Sequence, residues 1–377
     1  MTDAVADRAT AFLEANRPKD AVRILSAHLA SHPNDVDALC VLARTRLVLD
    51  EHDAALVAAK AAIAQSPDAE WAWRLSSMAH CGRRDFVAAK EAAQTAVRLR
   101  PWTWRTHAQA ARVDIARGEV DSTTDTAIVE MLKLAPNESE AHTIAGTVDF
   151  TRKHWSAAER RFRAALEISP QDPVAQNNLA AVMLGRGRTG SATSAFSNML
   201  GANPQSALAL QNLVTSAYAS FRHLHLILWI GLFAGFNAVK VSIGHTPSPA
   251  TQFFIALVPI VEALVVGGYL IKFRHSSGRH FSFFVANLRH IDRFLVALGV
   301  LLSAVLALMI AAPFVPFFVQ VILYACILVA MIASVLIQAK AAKSRAEFVE
   351  GGHGPSMSTR ANRPRSSRPP AWTSRRR

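Results

Sequence analysis

Residues 161–180 read RFRAALEISPQDPVAQNNLA. A run of good helix formers stops at Pro170 and resumes at Pro173, with small residues on both sides of the break. A proline inside a helix removes a backbone donor and clashes with the preceding turn, and it also pushes its predecessor out of the helical region. The stretch is therefore a joint between two helices.

The joint recurs. Prolines stand at 33, 67, 101, 136, 170 and 204, with successive spacings of 34, 34, 35, 34 and 34. A period near 34 in helical sequence predicts stacked helical hairpins. Counting each repeat from two or three residues after the preceding proline, the eighth position holds Ala9, Ala43, Ser77, Ala111, Gly146 and Ala180. The twentieth holds Ala21, Ala55, Ala89, Ala158 and Ala192. Antiparallel helices approach closely only where the facing side chains are small, and a large residue one turn on fills the groove that results.

In this period and these small residues the chain resembles the tetratricopeptide repeat (TPR) family over residues 1–218. The resemblance implies bulky residues at position 24, present as Phe162 and Phe196, and aromatics at position 17, present as Phe86 and Trp155. The fourth repeat departs: its loop has an extra residue, and GEVDSTTDTAIVEML (118–132) offers Thr123 or Thr124 where alanine is expected. After Pro204, residues 205–223 read as a helix capping the open end of the stack, running almost directly into apolar sequence.

The rest of the chain has another character. The protein has 377 residues, 51% of them hydrophobic, and a net charge of +13. Residues 1–220 carry 24 basic and 24 acidic side chains, so the excess charge lies beyond them, where the only acids are Glu262, Asp292, Glu347 and Glu350. Four apolar stretches, 224–244, 253–273, 294–315 and 317–337, each have the roughly 20 residues that cross a bilayer. Bases cluster at 272–293 and after 340, while the 245–252 connection and the turn at Pro313 and Pro316 have none. Because positive charge stays inside, the 274–293 loop and both termini are expected in the cytoplasm of a multi-pass inner-membrane protein. No signal peptide opens the chain, and arginine outnumbers lysine 32 to 9, as in GC-rich bacterial genomes. The loop stretch RHFSFFVANLRHIDR (279–293) reads either as a surface-lying helix with Phe281, Phe283 and Phe284 in lipid or as a short helix packed between spans. Residues 341–377, rich in Gly, Pro, Ser and Arg, read as a disordered basic tail drawn to anionic headgroups or, alternatively, to an acidic protein or RNA partner.

The expected architecture is thus all-α. A cytoplasmic solenoid of six helical hairpins and a capping helix (1–220) precedes a four-helix transmembrane domain (221–340) and the tail. The three cysteines, Cys40, Cys81 and Cys326, form no close pair and read as small buried residues.

For function, the resemblance implies a partner peptide or helix along the concave face. Its positions 2, 5, 9 and 12 fall on Arg44, Trp71, Arg74, Met78, Arg105, Arg112, Asn177 and Leu184. Arginines with a tryptophan suit an acidic or aromatic segment; a solvated charged face is the plainer reading. The Lys and Asn set of the carboxylate-clamp subfamily is missing. Trp73 and Trp104 are expected to pack internally. Glu262 is the one acid inside a span, with Ser303 and Tyr324 at comparable depth, and reads as helix–helix glue or as a functional intramembrane carboxyl. His223 and His225 point apart on a helix and predict no metal site. Phosphate loops, nucleophile elbows and His-Glu-x-x-His motifs are missing, so no enzyme activity and no cofactor are expected. Nucleic acid is disfavoured because the tail has one aromatic, Trp372. The expectation is a membrane-anchored interaction scaffold; the alternative is a transporter or channel component regulated by the repeats.

Overall fold

The computed structural model describes residues 3–202, 207–241, 249–277, 293–311, 314–315 and 317–348. All regular structure among them is helical. Six consecutive pairs form the repeats: α1 (Asp3–Glu14) and α2 (Pro18–Ser31), α3 (Val36–Val48) and α4 (His52–Gln65), α5 (Glu70–Gly82) and α6 (Phe86–Leu99), α7 (Trp104–Arg117) and α8 (Ser122–Leu134), α9 (Ser139–Thr151) and α10 (Trp155–Ile168), α11 (Pro173–Gly185) and α12 (Thr189–Ala202). Four longer helices follow: α13 (Ala207–Val241), α14 (Pro249–Ser277), α15 (Arg293–Ala311) and α16 (Phe317–Phe348). The chain gathers into two compact units that divide within α11, after Leu179.

The small-residue rule governs the first unit and continues into the second. Ala9, Ala43, Ser77, Ala111, Ala21, Ala55, Ala89 and Ala158 are fully buried, as are Ala180 and Ala192 further on. In the fifth hairpin the pairing is tightest. A Cβ on Gly146 would lie 2.8 Å from the Phe162 ring, so only glycine admits the phenylalanine. Phe162 and Phe196 are wholly buried. Each hairpin turn places one residue at positive φ: Asn16, Asp50, Arg84, Gly118, Lys153 and Gly187. Only two are glycine. Asn and Asp tolerate this region, whereas Arg and Lys hold it at a cost.

The fourth repeat keeps the hairpin and fixes its register on Thr124, not Thr123. Thr124 is buried, and its hydroxyl donates to Asp114 Oδ2 (2.8 Å). Asp114 is 2% exposed, and its other oxygen accepts from Lys90 Nζ of the third repeat at 2.8 Å. A carboxylate that far from water needs such partners. Asp121 caps α8 through the Thr123 and Thr124 amides, and its Thr123 hydroxyl contact holds the carboxyl well below the usual range. The alanine of the other repeats is replaced here by a hydroxyl that a buried acid requires.

A second device ties the joints. Six residues after each of four repeat prolines, a side-chain donor reaches back to the proline carbonyl. Trp73 bonds Pro67 (2.8 Å), His107 bonds Pro101 (2.7 Å), and His142 and Gln176 bond Pro136 and Pro170, each at 2.8 Å. The indole of Trp73 thus serves as a donor on a half-buried ring, while Trp104 is buried as expected.

Helix neighbours set the curvature of the first unit. First helices pack on one another in series, α1 on α3, α3 on α5, α5 on α7 and α7 on α9. Second helices touch the flanking first helices and at most marginally each other. Closer spacing on one side bends the stack with the first helices inside.

In the second unit, α13 continues from the expected capping segment into the first apolar stretch without a break, and packs against α12, α14, α15 and α16. α14 runs unbroken past Pro259 and Gly267–Gly268, residue types that often interrupt a helix. One core joins Phe196 and Leu200 to Leu213, Leu228, Leu298, Met309, Ile327 and Met331. Outward stand large apolar side chains, among them Ile230, Phe233, Leu264, Val300, Val329 and Leu336. Among the described residues, two stretches are long and apolar enough to cross a membrane, Phe294–Ala311 and Val319–Lys340. α16 stays helical to Phe348, beyond the tail boundary expected at 341, because AKAAKSRAEF is built of helix formers. The remaining tail, the stretch 278–292 with its phenylalanines, and the side chain of His223 lie outside the described residues.

The cysteines divide. Burial pushes the Cys40 and Cys81 thiols up to about 12, as inert packing residues require. Cys326 is exposed on α16, against expectation, because that face of the helix turns away from the bundle.

Candidate partner groove and intramembrane carboxyl

The first helices line the inner face, and the expected groove residues divide there by environment. Arg44 and Arg105 are exposed, the latter with its guanidinium 4.6 Å from the Trp104 ring centre. Trp71 is half-buried against two clusters, one across the first and second repeats and one across the second and third, and Met78 packs on the latter. Arg74 is engaged by Glu70 one turn back (2.7 Å), and Arg112 by Glu140 of the next repeat. These two arginines are already neutralised within the chain. Asn177 is 3% exposed, with its amide donating to Asn178 at 3.4 Å, so it is no surface residue. Its spacing matched a groove position, but burial was not legible from spacing. Leu184 packs onto the core of the second unit. What remains open on the inner face is Arg44 and Arg105, with part of Trp71.

No family model matches the chain, and no curated protein matches it. Solved TPR structures do resemble it. A thermophilic TPR protein of Thermus thermophilus is 22% identical, covering 49% of this chain and all of its own, with a TM-score of 0.45. A TPR protein of Parabacteroides merdae is 11% identical over 57% of this chain and 91% of its own, at 0.43. YrrB, described as a TPR protein with an unusual peptide-binding site, is 16% identical over 50% and 96%, at 0.35. The hairpins of this chain itself, not these likenesses, carry the fold.

In the second unit Glu262 sits on α14 at 6% exposure, and neither carboxyl oxygen has a hydrogen-bond partner. It is seated against Gly231 of α13, where a Cβ would fall 1.6 Å from Oε1. Gly231 was missed in the sequence: glycine is common in apolar helices and nothing local marks this one. Ser303 does not join the carboxyl, since it is exposed and donates to Gly299 of its own helix at 2.8 Å. Tyr324 is buried in the core. A polar cluster absent from the sequence reading surrounds His225. Trp229 Nε1–H donates to its Nε2 (3.0 Å), and Ser334 Oγ of α16 lies 2.6 Å from the same nitrogen. Residues 109 apart in sequence build this contact, which is why spacing could not reveal it. Among the described residues no group of His, Cys, Asp and Glu is placed to hold a metal ion.

Proposed function

We propose that the solenoid recruits a cytoplasmic protein or peptide partner on its inner face, while the apolar half holds the assembly in the membrane as four spans with both termini cytoplasmic. The observation that carries the recruitment reading is a stack bent around its first helices, with Arg44, Trp71 and Arg105 left accessible there. Such a surface accommodates an extended or helical segment without rearrangement. Anchoring is supported by the two long apolar stretches of α15 and α16 and by large apolar side chains facing outward on all four long helices, an arrangement water does not tolerate. The protein acts without catalysis or cofactor in this reading, and its basic tail adds attraction to anionic lipid.

The test is a photo-reactive residue in place of Trp71, then of Arg105, in intact membranes. One dominant crosslinked protein, lost on Arg44→Glu with Arg105→Glu, is the expected result; no crosslink from either site removes the recruitment reading. A second reading, transport through the bundle with the repeats regulatory, draws on the unpartnered Glu262 carboxyl. Glu262→Gln leaves partner capture unchanged if the residue is glue, and abolishes a proton- or ion-dependent flux if it is functional.

A further inference from the structure

Two clefts of the first unit occupy the same place in different repeats. The first, about 500 Å³, is lined by Trp73, His80, Ala88, Glu91, Ala92 and Thr95, and also by residues that include Lys60, Ile63 and Arg98. The second, about 470 Å³, is lined by His142, Asp149, Ala157, Arg160, Arg161 and Ala164. The first six of one and the six of the other differ by 69 in number throughout, which is two repeats of 34 and 35. The fifth-repeat cleft is lined by α9 and α10 alone, whereas the third-repeat cleft also takes in α4 of the preceding repeat; neither includes an expected groove position. In each, a donor at the equivalent place is spent on the proline carbonyl.

The same frame carries different charge. Where the third repeat has Glu91 and Ala92, the fifth has Arg160 and Arg161. Among the described residues neither arginine is within ion-pair distance of a carboxylate, unlike Arg152, held by Asp125 (2.5 Å), and Arg163, held by Glu159 (2.6 Å). Asp149, the one acid in the cleft, has its carboxyl raised by burial despite the pull of Arg161, His154, Arg152 and Arg160 around it. His142 donates through Nε2 to Pro136, and its buried Nδ1 has no partner. Ala157 and Ala164 give the cleft a low floor.

We infer that the fifth-repeat cleft is a docking site for an acidic segment of a protein partner, its carboxylates received by Arg160 and Arg161. Two guanidiniums with no carboxylate of the described residues within ion-pair distance match carboxylates in both charge and fork geometry. A recess one hairpin wide, floored by alanines, admits an acidic side chain; a planar array of lipid headgroups does not enter it. The inference rests on the recruitment reading only in taking the partner to be a protein, and its site is separate from the inner face.

The test uses the full chain in zwitterionic nanodiscs and a fluorescent octaglutamate peptide, read by anisotropy. Arg160→Glu with Arg161→Glu is expected to weaken binding at least tenfold, and the milder Arg160→Gln with Arg161→Gln several-fold. Arg98→Glu in the third-repeat cleft, and Arg23→Glu on the exposed face of α2, outside both surfaces, should change it less than twofold. Unchanged circular dichroism confirms that these surface variants fold. Peptide binding that ignores the Arg160 and Arg161 changes, or that falls equally with Arg23→Glu or Arg98→Glu, overturns the inference while leaving crosslinking from Trp71 to judge recruitment. Loss of cosedimentation of the solubilised chain with phosphatidylglycerol vesicles in those variants, with peptide binding intact, assigns the arginines to the membrane instead and also overturns it.

Discussion

The third and fifth hairpins share a backbone plan yet solve it with different side chains. In the third, Ser77 stands at the close-approach position, its hydroxyl donating to Ala89 O (2.8 Å) and accepting from Gln109 of the next repeat (3.0 Å). Position 24 is then only Ala93. In the fifth, Gly146 occupies the close-approach position and Phe162 fills the space. One hairpin is locked by polar contacts among small residues, the other by a ring in a glycine notch. A helical hairpin thus tolerates either, provided volume and hydrogen bonding are both satisfied.

That contrast can be broken at its strongest point. Phe162→Ala should cost about 3–5 kcal/mol, because no neighbouring side chain replaces the buried ring. Hydrogen exchange of the full chain should show α9 and α10 opening while α5 and α6 stay protected. The intervening fourth hairpin, held by a buried acid, is the next test. Asp114→Ala strips Thr124 and Lys90 of their shared partner and is expected to cost about 2 kcal/mol by urea denaturation. Thr124→Ala, although it restores the alanine of the other repeats, should also destabilise, since it takes a donor from a buried carboxylate.

The second unit offers a sharper version of the glycine notch. Gly231→Ala should cost about 1–3 kcal/mol by forcing Glu262 from its seat. Combining it with Glu262→Ala should recover much of the loss in a detergent melting assay, the signature of coupled neighbours. Smallest and opposite in sign is Lys153→Gly at the fifth turn, where φ is +62°. Relief of the left-handed strain should stabilise by about 1 kcal/mol; the same change at Lys60, an exposed position inside helix α4, should destabilise by about that amount.

The six hairpins were legible because close packing demands small residues and a proline break at a fixed period, and both are visible in one dimension. The apolar half was legible because length and hydrophobicity are additive along the chain. Less visible was anything that depended on a partner elsewhere. The sequence left Thr123 and Thr124 open; Asp114 and Lys90, on two other helices, decided between them. Groove spacing placed Asn177 on the inner face, and neighbours buried it. Arg74 and Arg112 matched a binding pattern, but the acids that neutralise them belong to the chain itself.

By itself, then, the sequence determined an all-helical chain with a 34-residue repeat and a separate apolar half, since periodicity and composition are properties of consecutive residues. Tertiary structure alone decided which charges remain free, from Arg160 and Arg161 in their cleft to the unpartnered carboxyl of Glu262 over Gly231. Whether a side chain is available depends on what other helices bring within a few ångströms of it.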